Sequence, residues 1–234
     1  MTCSRPDVAA AGRQAAAVAI TEWLRDVRDI PDDPEQCELI SRYLRATGTE
    51  TPYPARNAKR QPRQWCGDFW AWCWHGAGTG LHEPIRDVLL QSTYRLLIFG
   101  GFAKDARLWP FKSVAYQGRT LFVGDWLADE PRYARRCGYH GSALVDLEAI
   151  LPGDLLTVPG ASGSRGRWGE GGHIALAAGV DRGFVLTYEG NSTGPGPHGD
   201  RREGVVWHLR TKEEVCLHLR PSPLDLLPGV EYLR

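Results

Sequence analysis

A cysteine, a histidine and a Glu-x-Asn pair carry the chemistry this sequence can support. Cys66 sits in Trp65-Cys66-Gly67-Asp68-Phe69, at the expected start of a helix that runs toward Gly76 and Gly78. The positive end of a helix dipole favours a thiolate over a thiol, and the thiolate is the nucleophile. The first backbone N–H groups of a helix lack intrahelical partners and are free to hold an oxyanion. His173 follows two glycines in Gly171-Gly172-His173-Ile174-Ala175-Leu176. That pattern sets it on the first residue of a strand, at a sheet edge where a cleft can form. Glu189 and Asn191 lie two apart, so in extended chain they face one side. Either could hold the second ring nitrogen of His173, which is the third role in a catalytic triad.

Each residue alone has a plainer reading. A free cysteine is most often a buried structural thiol, and a single histidine at a strand start is most often a satisfied polar residue. The three together favour catalysis. Cys73 lies two turns into the helix and is expected in the core. His75 and His82 read as surface or cap residues. Cys66, Cys73 and His75 fit no common zinc spacing, so no metal is expected, and no organic cofactor. Asn191 precedes Ser192-Thr193-Gly194-Pro195, so a turn role competes with an orienting one. Gln61 and Gln64, shortly before the cysteine, are the candidates for a side chain that helps hold the oxyanion. Trp65, Trp70, Trp72 and Trp74 cannot all face one core. At least one is expected to line the cleft, with Trp65 and Trp70 entered as substrate-binding candidates; a domain interface is the plainer alternative.

These residues need elements to position them. Val8 to Asp29 reads as an amphipathic helix through Val18, Ile20, Trp23, Leu24 and Val27. Asp33-Pro34 reads as an N-cap and first helical position. The helix that follows buries Cys37, Leu39, Ile40, Tyr43 and Leu44 and stops near Gly48. Thr51 to Gln64 is a Pro- and Arg-rich loop. A further helix is expected over His82 to Phe99, and mixed helix and short strand from Gly100 to Ala149. Beyond that the period changes. Apolar runs at 154–158, 173–178, 184–188, 205–209 and 215–219 are strand signals, spaced for an antiparallel meander or small barrel. Helices first and strands afterwards give an α+β domain. The chain is expected to be one domain over 1–234, with 1–50 as an N-terminal helical extension and 81–148 as an insertion.

The bulk numbers set bounds. The 234 residues suit one good-sized domain, and 42% hydrophobic with 24% charged residues is a globular composition. Nine tryptophans promise a large aromatic core or an aromatic-lined cleft. Lys plus Arg and Asp plus Glu balance at 28 each, so no broad field draws the chain to nucleic acid or to an anionic membrane. The six cysteines are irregularly spaced and expected to be mostly free thiols. No Sec-type signal is read at the start, so the protein is expected to be made in the cytoplasm and to need delivery if its substrate lies outside.

The blocks WCGDFWAWCW, LPGDLLTV, GGHIALAAG and TYEGNS, in that order, resemble the CHAP family (cysteine, histidine-dependent amidohydrolase/peptidase) of the papain-like group, which includes the NlpC-like peptidases. The resemblance spans Trp65 to Thr211 and lies in the blocks. Trp65-Cys66 with Phe69, Gly172-His173, and Glu189 with Asn191 stand at the family's motif positions, and Arg202-Glu203-Gly204-Val205 resembles its last glycine-led strands. Two departures are Gly67, where the family more often has Ala or Ser, and the long stretch between Cys66 and Pro152. The resemblance implies a papain-like fold, with the nucleophile's helix packed on an antiparallel sheet. It also implies hydrolysis of peptidoglycan, as amidase or endopeptidase, in the periplasm or cell wall after delivery by a phage lysis or specialised secretion system, and an immunity or delivery protein as partner. Two rival classes stand beside it. One is a papain-like protease, deamidase or toxin effector acting on a protein or small amide. The other is a catalytically silent binding domain.

Overall fold

The structure is a computed structural model that describes residues 7–46, 51–54, 64–75, 113–116, 119–122, 147–159, 172–215, 217–219 and 231–233. Helices α1 (Val8–Leu24), α2 (Pro34–Ala46) and α3 (Cys66–His75) come first, then strands β1 (Ser113–Tyr116), β2 (Arg119–Phe122), β3 (Leu155–Pro159), β4 (Gly172–Asp181), β5 (Phe184–Pro195), β6 (Arg201–Thr211), β7 (Leu217–Leu219) and β8 (Glu231–Leu233). The class is α+β. All five expected apolar runs are strands of one five-stranded sheet in the order β6-β5-β4-β3-β7, every pair antiparallel. β3 to β6 form a meander, and β7 returns to pair on the far side of β3. The sheet is open among the described residues, with β6 and β7 at its two edges. Within the expected insertion, β1 and β2 make a hairpin, and β8 pairs with β1 in a second sheet. The expected helix over His82 to Phe99 lies outside the described residues.

The central strand β4 is buried on both faces. Ile174 and Leu176 join the core that includes all three helices, while Ala175 and Ala177 join a second cluster with Leu156, Val158 and Val185. Between α1, α2 and the sheet lies α3, with Trp65, Phe69, Trp70, Cys73 and Trp74 all buried. A helix apolar on every side belongs in an interior. Its indoles are fixed by polar partners: Trp70 Nε1 and Trp74 Nε1 both donate to the Gly153 carbonyl, at 3.1 and 2.8 Å. Gly153 adopts φ 89°, and its own N–H donates to Ala177 O at 2.7 Å, so the Pro-Gly-Asp turn is bonded to β4 as well.

The N-terminal helices are not an appendage. Ala11, Ala15, Ala16, Ala19, Ile40, Tyr43 and Leu44 share one core with Trp65, Trp74 and Leu176. At α2 the expected cap holds, since Asp33 Oδ1 accepts N–H groups from Glu35 at 2.9 Å and Gln36 at 3.2 Å. At α1 the buried face differs from the expectation. The alanine stripe is inside, while Ile20 and Leu24 are exposed. The reason is closeness: a Cβ on Gly12 would stand 2.2 Å from the Pro152 carbonyl oxygen, so only small side chains fit on that face. The link from α1 to α2 then covers the edge of β6. Val205 N donates to Val27 O at 2.9 Å, and Asp29 N donates to Glu203 O at 3.0 Å.

Replacing a helical glycine by alanine ordinarily stabilises a helix by about 1 kcal/mol. Gly12→Ala is expected to do the opposite, lowering unfolding free energy by about 1–3 kcal/mol through overpacking. Urea denaturation followed by tryptophan fluorescence measures it, and a rise in stability would show that α1 does not sit so close.

Candidate active site

The first turn of α3 is brought to β4 and β5 by three features of Glu189-Gly190-Asn191. The β5–β6 register shifts between Glu189 and Ser192. Gly190 lets the helix approach, since a Cβ there would lie 2.5 Å from Trp65 and 2.6 Å from Phe69. Asn191, at φ 57°, turns its side chain so that Oδ1 accepts the Trp65 backbone N–H at 3.0 Å. That bond satisfies the donor just before the helix begins. The helix itself starts at Cys66, with Phe69 N donating to Trp65 O at 2.9 Å.

His173 enters at the start of β4, opposite Val158. Its Nε2 lies 3.2 Å from Glu189 Oε2, at an angle better described as an ion pair than as an aligned hydrogen bond. With Nε2 turned to Glu189, Nδ1 is left for Cys66. The two expected orienting residues therefore divide. Glu189 meets His173, and Asn191 fixes the helix start.

The electrostatics favour a charge-separated pair. Burial opposes the Cys66 thiolate, but the His173 cation, a hydrogen bond from it and the Ile174 backbone N–H outweigh burial and hold the thiol below its ordinary value. Asp68, two residues on, pulls weakly the other way. For His173 burial also opposes the charge. The Cys66 thiolate and the Glu189 carboxylate overcome it and push the imidazole up to about 10. Glu189 is fully buried, and its desolvation is overcome by His173 and Arg210, which hold the carboxylate well below its usual range. Cys73 is the contrast. Burial and the nearby Glu22 carboxylate raise its thiol well above the ordinary value, so it is inert.

The remaining candidates fall elsewhere. Trp65 and Trp70 are buried core residues. The Trp65 indole donates to Asp29 Oδ2 at 3.3 Å, beside a Tyr53 hydroxyl that donates to the same carboxylate, and Trp70 is committed to Gly153. Their helix is enclosed, which leaves no wet face for them. Trp72 is half-buried against Tyr43, with ring centroids 5.7 Å apart. Gln64 is exposed immediately before Trp65, and Gln61 lies outside the described residues. Sequence reasoning passed over the groups that surround Glu189. Thr187 Oγ1 donates to Oε1 at 2.8 Å, Ser192 Oγ donates to Oε2 at 3.1 Å, and Arg210 donates to both oxygens, from Nε at 2.9 Å and Nη2 at 2.8 Å. Thr187 could have been found from its two-residue spacing to Glu189. Arg210 depends on the β5–β6 register, which no local pattern fixes. No group of three or more metal-ligating side chains occurs among the described residues.

Iodoacetamide at neutral pH is expected to label Cys66 quickly and Cys73 hardly at all, read by peptide mapping. His173→Ala removes the two largest forces that lower the Cys66 thiol and leaves burial opposed only by the Ile174 N–H, so labelling should slow sharply. Equal labelling of the two thiols would contradict the pairing. The lowered Glu189 value has a sign as well. It contributes stability that is fully present above the unfolded value of about 4.3 and is lost as pH falls through the folded value. Acid unfolding of the wild type should therefore be steeper than that of Glu189→Gln. In comparisons with known proteins, no family model, no curated protein and no solved structure matches this chain.

Proposed function

We propose that this chain is a cysteine hydrolase of amide bonds with a papain-like fold, and that its substrate is peptidoglycan, cut as an amidase or an endopeptidase. The observation that carries the reading is the Cys66–His173–Glu189 array, with the cysteine at a helix start, the histidine at a strand start and a buried carboxylate on the far ring nitrogen. A structural thiol needs none of these. The order of the blocks and their likeness to the CHAP family supply the substrate class, the delivery from the cytoplasm to the wall, and an immunity or delivery protein as partner.

The chemistry is acyl transfer. Cys66 Sγ attacks the amide carbonyl carbon, and the Cys66 backbone N–H helps hold the oxyanion, with Gln64 close by in sequence. His173 gives its proton to the leaving nitrogen as the C–N bond breaks, which leaves a thioester on Cys66. The now neutral His173 takes a proton from water, and the oxygen attacks the thioester. The carboxylate product departs, and the proton held by His173 restores the thiolate–imidazolium pair. Glu189 keeps the imidazole in one orientation throughout.

Purified sacculi digested with wild type and with Cys66→Ala, and read by mass spectrometry, test this directly. Fragments are expected with the wild type alone, and their masses name the bond. Glu189→Gln should retain the cleavage pattern at a rate lowered by about 10- to 100-fold, as for other groups that orient a catalytic partner. Intact sacculi with both proteins, while Cys66 still alkylates quickly, would replace the wall with a protein or small amide as substrate.

A further inference from the structure

Glu189 faces more than His173. From the neighbouring strand, Arg210 grips it with two prongs, Nε at 2.9 Å from Oε1 and Nη2 at 2.8 Å from Oε2. Glu214 holds the other side of the guanidinium, 3.2 Å from Nη1, and also accepts the Thr211 N–H at 2.8 Å. The Arg210 side chain is 14% exposed and that of Glu189 is 0% exposed, so the pair is shielded from water and salt. The charged and titratable groups that face it are His173 from β4, His208 from β6 and Glu214 from the turn after β6, with Cys66 and Asp68 of α3 on the far side of His173. His208 Nε2 stands 3.8 Å from Glu189 Oε2. It is held below its ordinary value, first by burial and then by the Arg210 and His173 cations, against the opposite pull of the Glu189 and Glu214 carboxylates.

A buried carboxylate acting alone on a neighbouring imidazole would hold the imidazolium too firmly for a group that must give up and regain a proton. Here a second cation competes for the same carboxylate. We propose that Arg210 is a positioning residue for the Cys66–His173 pair: its two-pronged contact offsets part of the Glu189 charge felt by His173 and fixes the carboxylate plane, so Glu189 orients the ring while its pull on the imidazolium proton is tempered. The inference rests on the reading of Cys66 and His173 as nucleophile and base. A lysine has no fork, so it would supply the charge without fixing the plane.

The test is a pH titration of the His173 ring protons by NMR in the wild type, Glu189→Gln, Arg210→Met and the Glu189→Gln/Arg210→Met double variant. Arg210→Met is expected to move the midpoint up by about one pH unit, a tenfold tighter proton, and Glu189→Gln to move it down by about as much. The double variant, with both charges gone, should return close to the wild-type midpoint. Arg210→Lys should keep that midpoint while slowing turnover. If Arg210→Met leaves the buried carboxylate unpaired and the chain unfolded, the double variant against Glu189→Gln decides alone, because neither carries an unpaired buried carboxylate. A midpoint above that of Glu189→Gln supports the inference. Coincidence of the two, or an unmoved midpoint in a folded Arg210→Met, overturns it. Iodoacetamide labelling of wild-type Cys66 separates the two levels. A slow thiol at neutral pH would remove the nucleophile itself, whereas a fast thiol beside an Arg210-insensitive His173 would remove only the role of Arg210.

Discussion

Two indole N–H groups converge on one carbonyl oxygen, that of Gly153, and much of the structure hangs on this point. Trp70 and Trp74 belong to the nucleophile's helix, and Gly153 belongs to the turn that opens β3. The same glycine donates its N–H to β4. One residue therefore ties the helix to the strand that carries His173. A buried carbonyl has two lone pairs, so both donors are accommodated without an orphan. The turn must also admit α1 from the other side. A Cβ on Gly153 would lie 2.5 Å from the Gly12 backbone and 2.9 Å from Trp74. Glycine is required there twice, for its positive φ and for the space.

The site is a second consequence of this clamp. With α3 fixed at its middle, its first turn is set against the bulge of β5. Gly190 permits the approach and Asn191 receives the backbone N–H of Trp65. Behind the pair, charges alternate inward from the thiolate: imidazolium, carboxylate, guanidinium, and the Glu214 carboxylate toward solvent. An alternating chain lets each buried charge meet an opposite one within hydrogen-bond reach, which is how such groups can be removed from water. Thr187 and Ser192 fill the remaining lone pairs of Glu189.

Much of this was legible in the residues. The strand runs, the helix start at Cys66 and the Asp33-Pro34 cap follow local rules of period, capping and turn chemistry, and the structure has each of them where the sequence put it, whereas the choice between Glu189 and Asn191 as the partner of His173 stayed open in the residues. Three things were not legible. The buried side of α1 depends on how near the Pro152 turn comes, and periodicity favoured the large residues Ile20 and Leu24 that lie outside. The tryptophans of α3 were divided between core and cleft because a lone helix cannot accommodate them. Enclosed by two helices and a sheet, Trp65, Trp70 and Trp74 are buried, while Trp72 is only partly so. Arg210 reaches Glu189 only through strand pairing, and pairing register is a long-range property.

The docking of α1 has a consequence for how the chain is made. Its Trp23 indole donates to Pro195 O, 172 residues away, and its neighbours in the core include Leu176, Tyr188 and Val205. During synthesis this helix leaves the ribosome long before the strands that receive it exist. Contacts so distant in sequence also close slowly. For that interval an ordinary amphipathic helix would present a sticky face of large apolar side chains. The face of α1 that waits is mostly alanine, with Val18 and Trp23 as its larger members, and so offers less apolar area to a wrong partner. The close approach that demanded small residues in the finished fold thus also makes the unfinished chain less prone to aggregate.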